Sequence, residues 1–242
     1  MKIYREFQKL DEQITISIGT YDAIHCGHIE IIQKMKDFGL KTCIISFYPP
    51  PFIHFELEKF VLFTLEEKIK IFEELKIDFI FFIEFNDKIK NLSSEDFIKI
   101  LISNFNIKYL IVGKSFRFGR NKEGDRFLLE KLSKKYDFQL KLIEEKKFGK
   151  EKISSSKIRN LIKIGDIETA NKFLYKNYFI ITKKENDKLI IDSLKVLPPD
   201  GVYLVNINDE KNKKIEISRR EIKLKEDLDF NEIKIEFLKK LS

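Results

Sequence analysis

The chain has 242 residues, 43% of them hydrophobic, enough to bury one full core and a smaller second one. Its net charge is +7, but the basic residues are spread along the whole length instead of forming a block, so basicity alone argues for neither a nucleic acid nor a membrane surface as partner. No apolar run approaches the roughly 20 residues of a membrane span, the opening MKIYREFQKLDEQ lacks a signal-peptide core, and Cys26 and Cys43 form no CxxC pair, so the expectation is a cytoplasmic protein with reduced thiols.

Ile14–Ile18 alternates into an apolar run that stops at Gly19, and His28–Phe38 then carries Ile31, Ile32 and Met35 at helical spacing, which predicts strand, loop and helix in that order. The order repeats with a strand over Thr42–Phe47, a helix over Leu65–Leu75 opened by Thr64 with Glu67 three residues on, and a strand over Phe79–Ile83. A further helix is expected over Ser94–Phe105, then a strand over Lys108–Val112, a polar loop, a helix from about Glu123 to Tyr136 and a strand over Phe138–Ile143. Such alternation predicts an α/β protein with a parallel sheet covered on both faces. After about Tyr178 the texture changes to short runs, FIIT, KLII, GVYLVNI and KIEISRREIKL, divided by charged or Pro-containing turns, which predicts a small β-rich region. The last segment, EIKIEFLKKL, suits a helix and a strand alike. The expected division is residues 1–177 and 178–242.

Rare residue types gather in two places. Three of the seven arginines fall between Phe116 and Phe127, in a chain that otherwise uses lysine, and a retained Arg points to a need for its planar fork. Gly113, Gly119 and Gly124 punctuate the same stretch, while Gly19, Gly27 and two of the three histidines, His25 and His28, follow the first predicted strand of the alternating pattern.

In an open parallel sheet, ligands bind at the carboxyl ends of the strands, and this strand delivers Gly19-Thr20-Tyr21-Asp22-Ala23-Ile24-His25-Cys26-Gly27-His28 there. Gly19 lets backbone approach a phosphate closely, and a helix opening near Gly27 and His28 offers unpaired amides to an anion. Two imidazoles beside them can donate hydrogen bonds to phosphoryl oxygens as charge accumulates in a transition state, with no covalent nucleophile. A lone His is ordinarily a surface or capping group; a pair spaced HxGH after a strand and a Gly-Thr turn reads as functional. His25, Cys26 and His28 lie too close to reach one ion together, so no metal site built from protein side chains is expected. Further on, Ser155 and Ser156 at a predicted helix start suit the capping of free amides, and Arg159 one turn later can point at the same anion.

GTYDAIHCGH resembles the GxFDGxHxGH motif of the nucleotidyltransferase superfamily, which has a Rossmann-like fold. VGKSFRFGRNKEGD, from Val112 to Asp125, and ISSSKIRNLIKIGDIETANKFL, from Ile153 to Leu174, are similar to two further motifs of the prokaryotic FAD synthetases within it. The resemblance, in order over residues 14 to 178, implies an FMN adenylyltransferase that uses ATP with Mg²⁺ and FMN as substrates and yields FAD. It implies that His25 and His28 are catalytic and stabilise the α-phosphate. Ser155, Ser156 and Arg159 would hold the ATP phosphates, with Gly19, Thr20, Tyr21, Asp22, Gly27 and Gly113 completing the nucleotide site. It assigns the flavin to Phe47, Phe55, Ser115, Phe116, Arg117 and Phe118, although alternate Phe residues also suit a core. Three positions depart from the family pattern. Ser115 stands where Asp or Asn is usual, SFYPPPFIHF lacks the His of a PHP pattern, leaving open whether His54 substitutes for it, and Cys26 replaces an aliphatic residue. Cys26 is either a small packing group or a reactive thiol beside the histidines.

Relatives of this family normally carry a riboflavin kinase barrel. LKVLPPDGVYLVNI, from Leu194 to Ile207, and FNEIKIEFLKKL resemble two of its strands, but its GRxLGFPTAN segment has no counterpart between Tyr178 and Leu194, so phosphorylation of riboflavin is expected to be absent. The expected partners are small molecules, with no nucleic acid and no membrane. Two other classes remain as alternatives: transfer to a different phosphate monoester, and a flavin-binding module without turnover.

Overall fold

The computed structural model describes residues 1–149, 151–185, 188–208, 210–224 and 232–242. The chain divides into two compact units. The first gathers Met1–Tyr21, Gly27–Glu58 and Ile71–Lys152; the second gathers Asp22–Cys26, Lys59–Lys70 and Ile153–Ser242.

The first unit is built on a six-stranded, wholly parallel sheet of β1 (Lys2–Tyr4), β2 (Leu10–Ile18), β3 (Lys41–Phe47), β4 (Phe79–Ile83), β5 (Phe105–Gly113) and β6 (Gln139–Ile143), in the order β1-β4-β3-β2-β5-β6. The order reverses direction at β2, the switch point at which an α/β sheet opens a crevice for ligands. Every residue of β4 is buried, which is why FIFFI reads as an unbroken apolar run instead of alternating. The core around the sheet includes Ile14, Ile16, Ile18, Phe81, Leu110 and Val112, with Phe97 and Leu101 of the helix Ser94–Asn104 and Leu129 and Leu132 of the helix Arg126–Lys135 packed on it. The edge strand β1 escapes sequence reading because three residues are too few to show a period.

The expected helices form, with boundaries fixed by their caps. α1 spans Cys26–Lys36; α2, Pro51–His54, is a single turn; α3 spans Leu65–Glu74. Thr64 and Glu67 close the capping box at the start of α3: the Thr64 amide donates to Glu67 Oε2 at 2.8 Å and the Glu67 amide to Thr64 Oγ1 at 3.4 Å. The one-turn α4 (Asp87–Lys90) precedes α5 (Ser94–Asn104). The helix expected from Glu123 starts at Arg126 as α6 (Arg126–Lys135), because Asp125 takes an extended backbone and its carboxylate accepts the Leu128 amide at 3.0 Å.

In the second unit, α7 (Ser155–Ile164) and α8 (Ile167–Phe173) are joined by Gly165, which ends α7 at φ 84°, and Asp166, which caps α8 by accepting the Thr169 amide at 3.2 Å. The β-rich region is an antiparallel sheet. After the two-residue strands β7 (Lys147–Phe148) and β8 (Glu151–Lys152) of the first unit come β9 (Phe179–Glu185), β10 (Lys188–Ile190), β11 (Gly201–Ile207), β12 (Glu210–Ser218), β13 (Glu221–Leu224) and β14 (Ile233–Lys240), ordered β10-β9-β14-β11-β12-β13. EIKIEFLKKL therefore resolves as a strand: Ile233, Ile235 and Phe237 are buried with less buried residues between them, the period of two that a sheet imposes. Phe230 and Asn231, which begin the longer segment noted in the sequence, lie outside the described residues.

Candidate functional site

In the first unit, β2 delivers the Gly-Thr turn to the carboxyl edge of the sheet. The Gly19 amide donates to Ile45 O at 3.0 Å and Ser46 Oγ donates to Thr20 O at 3.0 Å, so β3 pins the turn. Tyr21 follows at φ 47° and is buried, its hydroxyl donating to Ser17 Oγ at 2.8 Å. A Cβ added at Gly19 would lie 3.1 Å from the Tyr21 ring, so any other residue there would crowd its neighbour's side chain. The same ring lies 4.6 Å from the His28 imidazole, centroid to centroid, at 39°. Burial pushes the Tyr21 hydroxyl far up, so it stays a neutral donor beside that imidazole. His28 occupies the first turn of α1 and His25 immediately precedes that helix; both are partly exposed.

A cavity of about 720 Å³ opens at the same edge of the first unit. Phe47, Phe55, Phe116, Arg117 and Phe118 all line it, as does Thr20. Phe116 and Phe118 are stacked, centroids 5.5 Å apart and 8° from parallel. Arg117 is tied to Asp125, whose carboxylate also caps α6; the Leu128 amide and then the guanidinium hold that carboxyl below its usual range. Gly119 and Gly124 permit this loop: an added Cβ would come within 2.2 Å of Ser94 Oγ at Gly119, which sits at φ 74°, and within 2.6 Å of the Phe118 ring at Gly124. The cavity is apolar in its walls with Arg117, Lys90 and Lys122 among its lining residues, a combination that fits a flat aromatic body bearing an anion.

Of the residues expected at the flavin, one falls outside this group. Ser115 is exposed, does not line the cavity, and accepts a hydrogen bond from Lys152 Nζ at 2.8 Å. Gly113 ends β5 where an added side chain would meet open space. The cavity also uses Phe52, Phe85, Ile89, Lys90, Asn121 and Lys122, which sequence reading missed. Phe85 had one available signal, its place just beyond the carboxyl end of β4. His54 lies next to this wall, its ring 5.4 Å from Phe85, and is not among the lining residues.

The second unit holds Asp22, His25, Ser155, Ser156 and Arg159. The cap of α7 is Ser154, which accepts the Lys157 amide, so Ser155 and Ser156 belong to the first helical turn. Ser155 Oγ accepts the Ala23 amide at 3.3 Å, and Ser156 is exposed. Asp22 is wholly buried; its Oδ1 accepts the Leu62 amide at 3.0 Å and its Oδ2 accepts from Arg159, itself only 4% exposed. Lys68 is buried close to the pair, and burial pushes its ammonium down to about 8, with Asp22 opposing and Arg159 reinforcing the shift. Tyr175 donates its amide to Ile24 O at 2.9 Å, and His25 forms an antiparallel bridge with Leu174.

Among the described residues, no group of three or more His, Cys, Asp or Glu side chains is placed to hold a metal ion, and no helix is long and apolar enough to cross a membrane.

Known proteins show where such a chain belongs. The model of the FAD synthetase family matches residues 7–157. A bifunctional riboflavin kinase/FMN adenylyltransferase of Buchnera aphidicola (subsp. Schizaphis graminum) is 34% identical over 236 residues, covering 88% of this chain and 76% of that protein. An FAD synthetase of Listeria monocytogenes is 27% identical over 211 residues, covering 84% of this chain and 86% of that one. A solved Streptococcus pneumoniae chain described as a macrolide-efflux protein has a TM-score of 0.83 at 18% identity, over 99% of this chain and 98% of its own; at that identity the likeness speaks for the fold alone.

Proposed function

The chain belongs to the FAD synthetase family, and from that premise we propose that it transfers AMP from ATP to FMN, giving FAD and pyrophosphate. The observation that carries the reading is the aromatic cavity of about 720 Å³ beside the Gly-Thr turn, with Phe47, Phe55, Phe116 and Phe118 for the isoalloxazine and Arg117 for the FMN phosphate.

In the proposed step an oxygen of the FMN phosphate attacks the α-phosphorus of ATP in line, and the bond from that phosphorus to the bridging oxygen of pyrophosphate breaks. Negative charge grows on the α-phosphate oxygens, where His25 and His28 each donate a hydrogen bond. Ser155, Ser156 and the free amides at the start of α7 suit the remaining phosphates, and Gly19, Thr20, Tyr21, Gly27 and Gly113 form the nucleotide side of the site, with Asp22 buried behind it. No side chain becomes covalently attached. Mg²⁺ enters as part of the Mg²⁺·ATP substrate, since it prefers phosphate oxygens and water to an all-protein cage.

Residues 1–177 carry this reaction, and residues 178–242 take no part in a kinase reaction. The Listeria relative, most of whose length this chain spans, bears the single-activity name FAD synthetase. The enzyme works on small molecules in the cytoplasm, with no nucleic acid partner. The test is to supply Mg²⁺·ATP with FMN and, separately, with riboflavin, and to resolve the flavins by chromatography. FAD from FMN alone is expected. FMN or FAD from riboflavin overturns the loss of kinase activity, and the absence of product from both overturns the transferase.

A further inference from the structure

We infer that Arg159 is a positioning residue, which holds the His25 loop in place through Asp22 instead of binding the triphosphate itself; this rests on the reading of His25 as a catalytic group.

The loop Asp22–Cys26 is held on each of its residues up to His25. Asp22 accepts from the Leu62 amide and from Arg159, Ala23 donates to Ser155 Oγ, Ile24 accepts from Tyr175, and His25 bridges to Leu174. Arg159 supplies the charged member of this set, and it reaches from the second turn of α7 to the residue three before His25. Both side chains are nearly closed to solvent, 5% for Arg159 and 0% for Asp22. A guanidinium already committed to a buried carboxylate is a poor ligand for a second anion, because drawing it away takes from the buried Asp22 the cation to which it is hydrogen-bonded. Its planar fork is better suited to fixing the angle of one carboxylate, and through it the backbone that carries the imidazole. Lys68 is a further buried cation that feels the Asp22 charge, which adds electrostatic reason for Asp22 to stay where it is.

The two roles separate by kinetics in the full chain with Mg²⁺·ATP and FMN. A positioning residue acts on kcat, whereas a direct phosphate ligand shows in the ATP dependence. Asp22→Asn and Arg159→Gln are each expected to lower kcat by about 10- to 100-fold with the KM for ATP within about threefold of wild type. The double variant should be no worse than the poorer single, since both break one link. It also removes both members of the pair at once, leaving Lys68 as the nearby buried charge, so it is the variant to measure if a single one fails to fold, and Arg159→Lys, which keeps the cation, should recover part of kcat. An Arg159→Gln enzyme whose KM for ATP rises tenfold or more beside an Asp22→Asn enzyme of wild-type kcat overturns the inference, as does a double variant whose loss is the product of the two singles.

A readout without turnover separates this idea from the function. Hydrogen exchange at the Ala23 and His25 amides is expected to quicken at least about tenfold in either single variant. If the wild-type protein makes no FAD, the transferase reading falls while this measurement still decides whether Arg159 holds the loop. Unchanged exchange in both variants refutes the positioning role.

Discussion

Lys195 meets Glu67 at 2.5 Å with both side chains wholly withdrawn from solvent. The same ammonium donates to Leu62 O at 2.6 Å and Phe179 O at 2.8 Å and faces the Tyr178 ring at 4.6 Å, while Glu67 also accepts the Thr64 and Ile181 amides. A buried ion pair of this kind adds little over a well-packed apolar pair, but removing one partner strands the other. Lys195→Met is therefore expected to lower stability by about 3–5 kcal/mol, and Lys195→Met with Glu67→Leu by clearly less. Urea unfolding of the two variants measures the difference.

His28→Ala is expected to reduce kcat for FAD formation by about a hundredfold or more, the scale of losing one donor aimed at transition-state charge. FMN binding by the same variant, followed by fluorescence, should stay close to wild type, because the imidazole lies against Tyr21 and is not among the residues lining the aromatic cavity. A variant with wild-type kcat removes His28 from the reaction.

Phe116→Ala should raise the KM for FMN by roughly 10- to 100-fold, the equivalent of losing one large apolar face from the wall. Arg117→Gln is expected to raise it about tenfold while leaving the KM for ATP unchanged, since the guanidinium is held at the cavity by Asp125. Steady-state kinetics with each substrate varied in turn provides the check.

Lys68 makes stability rise with pH from about 8, a gain that the buried Cys43 thiol, pushed far up from 9.0 by its burial, opposes above that value. The Lys68 ammonium is pushed down to about 8 in the fold from 10.5, so between those values the unfolded chain keeps a proton that the folded chain has released. The Lys68 gain, about 3 kcal/mol, builds from about pH 8 and levels off near 10.5. Lys195, lowered by its burial, acts in the same direction, whereas Lys41, Lys99 and Lys135, raised by hydrogen bonds to their carboxylate partners, lose their contributions only above that window. Subtracting the Lys68→Met profile from the wild-type urea profile isolates the effect; a flat difference refutes it.

The sheet and its helices were readable in the sequence because their signals are local: the alternation into Gly19, the Thr64 and Glu67 capping box, the unbroken FIFFI run of β4. The motif from Phe116 to Phe118 was readable for the same reason, being contiguous. The opposite wall was not. Phe52, Phe85 and Ile89 sit in separate one-turn helices and loops, and in a chain with 23 phenylalanines nothing local distinguishes a wall residue from a core residue. The Asp22 to Arg159 pair joins positions 137 residues apart, and a carboxylate that far away leaves no mark on the local pattern around Arg159. EIKIEFLKKL suits both periods because its apolar residues lie at 233, 235, 237, 238 and 241, and the neighbours β9 and β11 choose between them.

The last strand, β14, lies in the interior of its sheet, between β9 and β11. On the ribosome the parallel sheet has all its strands once residue 143 has emerged, but the antiparallel one must wait for residues 233–240, holding two unpaired strand edges until then. A nascent chain arrested before β14 therefore presents sticky backbone where the finished protein has a closed ladder. Messages that stall translation late are the ones that should send this protein into aggregates.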